Sequence, residues 1–194
     1  MFAMTIDQRG SRRGQDLVDA LLADLADAPG VVRRFERTAG DEVQGLLDDA
    51  DAVVDLALRL ARADSWSTGI GTGPVREPVP RSVRAAAGPA LENARDAVQR
   101  AKTSGPHVAV SGPDPRRARD AEVLLALLAS VVQRRTTQGW QVADLLAAGM
   151  TQKEAAARLG ISPQAVSQRA RVAMWQHEQD ARPLAARLLR EADR

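Results

Sequence analysis

The chain has 194 residues, room for about one to two domains, and its 44% hydrophobic share supports a buried core and excludes wholesale disorder. It has no Cys and only His107 and His177, which removes disulfides, iron–sulfur clusters, thiolate zinc sites and histidine-rich metal sites. The formal net charge is +2, and it divides unevenly: residues 1–112 carry 14 basic and 16 acidic side chains, residues 113–194 carry 13 and 9.

An acidic first part joined to a basic second part fits two separate roles, with scattered surface charge as the plainer alternative. No apolar run approaches the ~20 residues that span a bilayer. The opening residues up to Ile6 are too short, and too soon followed by Asp7, for a signal peptide. A cytoplasmic protein with no membrane partner is expected.

In chain order, residues 2–6 form a short apolar strand that ends at Asp7, followed by a Gly/Ser/Arg loop over 9–14. Leu17, Val18, Leu21, Leu22 and Leu25 recur at helical spacing before Pro29 and Gly30. Residues 31–38 and 43–47 read as a hairpin turning through Gly40 and Asp41. A helix is expected over 46–62, then a strand over 66–73 interrupted by Gly69 and Gly71. After a Pro-rich stretch at 74–80 come a helix over 89–102 and a strand over 107–110. The fold class is α+β, and the β-α-β-β-α-β order is that of a ferredoxin-like domain of palm type over 1–112.

From Asp114 onward the pattern is helical, and a separate all-α domain is expected over 113–194. Residues 121–132 are strongly apolar, 140–148 form a short helix stopped by Gly149, and Pro183 is expected to open a final segment.

Residues 151–176 carry the strongest motif. Thr151 and Glu154 have capping-box spacing, Gly160 can take the left-handed conformation that ends a helix, and Ser162 with Pro163 starts the next. Val166, Ala170 and Ala173 give that second helix a buried face. Gln164, Ala165, Ser167, Gln168, Arg169 and Arg171 are left outside it, a set with no acid. Amides read adenine and guanidinium groups read guanine or phosphate, so these residues, with Thr151, Gln152, Lys153 and Ser162, are the candidate contacts to double-stranded DNA. A purely structural helical hairpin or a protein-contact helix-turn-helix are the alternatives. The run from Gly160 to Ser167 resembles the helix-turn-helix of sigma-factor region four and of LuxR-type regulators.

The first part offers Asp7, at the end of a strand, and Asp41 with Glu42, at the hairpin. Carboxylates on adjacent strands are what Mg²⁺ requires when it also holds a nucleotide, so these three are the candidate metal ligands; a plain turn and a loop cap are the alternative.

Residues 35–47 (Phe-Glu-Arg-Thr-Ala-Gly-Asp-Glu-Val-Gln-Gly-Leu-Leu), 67–74 (Ser-Thr-Gly-Ile-Gly-Thr-Gly-Pro) and 87–95 (Ala-Gly-Pro-Ala-Leu-Glu-Asn-Ala-Arg) resemble the SatD family, which joins such a part to a C-terminal helix-turn-helix. The stretch from Ile6 to Arg12 fits that family's Gly-Asp-x-x-x-Ser-Arg opening except at Ile6. The same landmarks are more distantly similar to class III nucleotidyl cyclases and GGDEF-type palm domains, where the resemblance implies metal binding by Asp7 and Asp41. The cyclase Asn with an Arg four residues on is not reproduced: Asn93 is followed by Ala97, and Arg95 is out of register. The reading is a DNA-binding regulator with a ligand-sensing or dimerising N-terminal domain and no certain cofactor. The alternative is a metal-dependent nucleotidyltransferase or cyclase-like enzyme targeted to DNA.

Overall fold

Alternation along β1 (Phe2–Gln8) sets the architecture of this computed structural model, which describes residues 1–11 and 14–194. Phe2, Met4 and Ile6 enter one core, while Ala3 on the other face joins a second. β1 lies between β3 (Glu42–Leu47) and β4 (Trp66–Thr72), antiparallel to both. β2 (Val31–Ala39) hairpins onto β3, and β5 (Val108–Ser111) runs parallel to β4, giving the order β2-β3-β1-β4-β5. The chain is therefore mixed α+β.

Helices cover both faces. α1 (Val18–Asp24), α2 (Ala50–Ala63), α4 (Pro115–Gln133) and α8 (Trp175–Ala192) share one core with Met4, Ile6, Ile70 and Val110. Leu125 and Leu189, fully buried there, come from beyond Gly112, so apolar packing runs on across that point. The opposite face carries α3 (Pro89–Ala101), seated directly on β4. Gly69 and Gly71 make this possible: a Cβ would stand 2.2 Å from the Val98 nitrogen at the first and 2.0 Å from the Ala90 oxygen at the second. Only glycine lets the two backbones approach that closely.

The remaining helices are α5 (Thr137–Ala147), α6 (Gln152–Leu159) and α7 (Pro163–Val172). Their own small core is Val142, Ala155, Ala156 and Val166. Among the described residues no helix is long and apolar enough to cross a membrane.

Two expected boundaries are corrected. The helix assigned to 46–62 begins only at Ala50, because Leu46 and Leu47 are the last residues of β3 and bury into opposite cores. That is a strand's period, and Asp49 then caps α2 by accepting from the Asp51 nitrogen at 2.9 Å. Pro183 opens nothing: it sits inside α8 at an exposed position, where the carbonyl one turn earlier can be hydrated. The break falls instead at Met174, whose φ of 51° separates α7 from α8. Within the 9–14 loop, Arg12 and Arg13 lie outside the described residues.

The apolar run at 121–132 is the middle of α4. Ala121, Leu125, Leu128, Ala129 and Val132 are buried, whereas Val123 and Leu127 are 53% and 61% exposed.

Candidate nucleic-acid interface

The turn between α6 and α7 follows from a few local bonds. The Thr151 hydroxyl accepts from the Glu154 nitrogen at 3.2 Å, and the Glu154 carboxylate accepts from the Thr151 nitrogen at 2.8 Å. These contacts, the backbone amide first and then the hydroxyl, hold the Glu154 carboxyl below the usual carboxylate range. Gly160 ends α6 with φ 65°. Ser162 caps α7 by accepting from the Ala165 nitrogen at 3.2 Å, and Pro163 takes the first turn, where no N–H is needed.

Val166, with no exposed surface, turns α7 onto Val142, Ala155 and Ala156, and Ile161 and Ala170 pack at the margin. That contact decides which side chains face outward. Gln164, Gln168 and Arg171 are exposed, as are Thr151, Gln152, Lys153 and Ser162; Ala165, Ser167 and Arg169 are half-buried beside them. The Thr151 and Ser162 hydroxyls are already committed to caps.

Charge reinforces this face. Lys153, Arg158, Arg169 and Arg171 take part in no ion pair among the described residues. The only acids between residues 136 and 177 are Asp144, bound by Arg62 at 2.6 Å, and the capping Glu154. A short helix with capped ends and free cations can lie in a groove of nucleic acid while its amides meet base edges.

A helix-turn-helix family model matches residues 143–171. The chain carries a DNA-binding helix-turn-helix. The matched stretch takes in the end of α5, all of α6 and α7 as far as Arg171. No curated protein and no solved structure gives a significant match to the chain.

The other expected site lies at the end of the sheet where β1 stops and β4 begins. Asp7 and Glu42 are direct cross-strand partners, and Asp41 precedes Glu42 in the turn. Each carboxylate has its own neighbour: Lys102 Nζ stands 2.7 Å from Asp7, Ser11 donates to Asp41, and the Thr38 hydroxyl donates to Glu42 at 2.7 Å. Burial pushes the Asp7 carboxyl up, Lys102 opposes this, and the negative charges of Asp41 and Glu42 add to the upward push. Among the described residues no group of three or more His, Asp or Glu side chains is arranged to hold a metal ion. With an ammonium group on Asp7, the donor set as it stands does not fit Mg²⁺.

Sequence spacing gave no sign of the junction between the helix-turn-helix and the sheet. There Arg135 and Glu178 form an ion pair of 2.9 Å, each side chain 1% exposed. Arg182 reaches Glu178 at 2.5 Å and also pairs with Asp55 of α2. Arg62 grips Asp144 of α5 with two nitrogens, at 2.6 and 2.8 Å, and stacks 3.7 Å above the Trp140 ring. Apart from Arg182 and Glu178, one turn apart on α8, these partners lie 43 to 127 positions apart in the chain, beyond the reach of any periodicity argument.

Proposed function

We propose that the protein is a transcriptional regulator in which α7 enters the major groove of double-stranded DNA and the preceding α+β part, residues 1–112, senses a ligand or carries a dimer contact. Lys153, Arg158, Arg169 and Arg171, without an ion pair among the described residues and set around a capped helix-turn-helix, carry this reading. A cytoplasmic location and a homodimer belong to it. So does the SatD resemblance of the N-terminal motifs. A ferredoxin-like reading of β1 to β4 is supported by their 2-3-1-4 order with every neighbouring pair antiparallel. β5 and α3, on the other face, lie outside that plan.

The test is selection of bound sequences from a random duplex pool, followed by titration of the recovered site at several salt concentrations. A recovered consensus with steep salt dependence supports the reading. Binding that neither discriminates among sequences nor responds to salt removes it.

A further inference from the structure

The junction holds a cleft of about 320 Å³, walled by α2 and α8 on the sheet side and α5 on the helix-turn-helix side. Two of the three tryptophans of the chain, Trp140 and Trp175, line it, with Arg59, Arg62, Arg135 and Arg182. The three carboxylates on the wall are already engaged: Asp144 by Arg62, Glu178 by Arg135 and Arg182, Asp55 by Arg182. Arg59 pairs outward with Asp24 at 2.6 Å. Four guanidinium groups and three carboxylates line the cleft, the partner of Arg59 lying outside it, and among the described residues Arg135 Nη1 is buried with no hydrogen-bond partner.

A buried donor without a partner costs free energy that an incoming acceptor recovers. Planar guanidinium groups match carboxylate and phosphate oxygens, and indole faces match a flat ring. Apolar clefts with a few converging polar groups at a junction between units are common ligand sites.

We propose that this cleft binds a small planar organic anion, one ring bearing a carboxylate or phosphate, with the acid at the Arg135 and Arg59 side and the ring against tryptophan. Such a ligand touches both α2 and α5, so its binding is coupled to the setting of α7 and hence to DNA affinity. This names a ligand class for the sensing role, seats it where α2 of residues 1–112 meets the helices that follow, and rests on the regulator reading above.

The test uses the full chain without DNA and two probes, salicylate for an aryl carboxylate and AMP for a mononucleotide, followed by tryptophan fluorescence and calorimetry. Saturable binding of either probe is expected, weakened about tenfold or more in both Arg59→Gln and Trp175→Leu. Salicylate alone binding identifies the aryl carboxylate source, AMP alone the nucleotide source. No saturation by either probe at millimolar concentration overturns the proposal, as does binding that both substitutions leave unchanged. A second arm adds duplex DNA. Probe binding without any DNA complex leaves the cleft standing and removes the regulator reading; a DNA complex without probe binding does the reverse.

Discussion

Arg135 and Glu178 meet at 2.9 Å with 1% of each side chain exposed, and this pair joins the link between α4 and α5 to α8. Arg135 also donates to the Ala173 carbonyl at 3.1 Å and lies 4.4 Å from the centre of the Trp140 ring. Burying two charges is costly, and removing one of them leaves the other without its counter-charge.

Glu178→Ala is therefore expected to lower stability by about 3–5 kcal/mol, and the double change Arg135→Met with Glu178→Met to recover most of it. Urea unfolding of the parent and the two variants measures both effects. A double variant no more stable than Glu178→Ala would show that hydrogen bonding to Ala173, and not charge pairing, is what the junction needs.

Under the proposed reading, contacts of the helix-turn-helix to bases and to backbone leave different signatures. Gln168→Ala and Arg169→Ala should each cost about 1–3 kcal/mol on the preferred sequence and relax its preference if they meet bases. Lys153→Ala should weaken all sequences alike and reduce the salt slope by about 1. Anisotropy titrations on preferred and scrambled duplexes distinguish the two patterns, and an unchanged preference in both α7 variants would take that helix out of the groove.

The helix-turn-helix was legible because its signals are local. The Thr151–Glu154 box, Gly160 and the Ser162-Pro163 start each act within four residues, and Val166 at the centre fixes the buried side. Leu46 and Leu47 misled for the opposite reason: their burial on two faces is decided by β1 and by helices distant in sequence. Lys102 was equally invisible as the partner of Asp7, since it arrives 95 positions later at the end of α3.

That partnership has a pH signature. The folded-state pKa of Asp7 lies above the ordinary value of 3.8, mainly because the group is buried. The folded state then holds the proton more tightly than the unfolded chain. The stability this contributes is complete below the ordinary pKa and is lost as pH rises through the folded value. Asp7→Asn lacks this dependence, so its stability relative to the parent should rise between acid and neutral pH. Thermal unfolding of both proteins across that range supplies the difference, and a relative stability that falls instead would mean that the Lys102 pair outweighs burial.

The contact between β4 and α3 leaves no slack. Gly69→Ala would place its methyl 2.2 Å from the Val98 nitrogen and 2.4 Å from the Ala94 oxygen, both backbone atoms. Overpacking of this kind typically costs about 1–3 kcal/mol and sometimes more. Gly105→Ala, with nothing within 4 Å of the added carbon, is the matched control and should leave the melting temperature nearly unchanged.

The cationic face of one helix-turn-helix is small. Lys153, Arg158, Arg169 and Arg171 can supply only a few phosphate contacts, and affinity from so few would fall steeply with salt. Two linked copies raise the effective concentration of the second reader without any new DNA contact. On α4, Val123 and Leu127 are one turn apart and exposed, while Leu125 and Leu128 beside them are buried. An apolar pair left out of the core in this way is the expected seat of a partner copy. Val123→Asp with Leu127→Asp should then give a monomer in sedimentation equilibrium that folds like the parent yet binds an inverted repeat no better than one half-site. The parent should prefer half-sites about 34–36 Å apart, one helical turn. If the parent sediments as a monomer and still binds a single half-site tightly at physiological salt, α4 has no such role and one copy suffices.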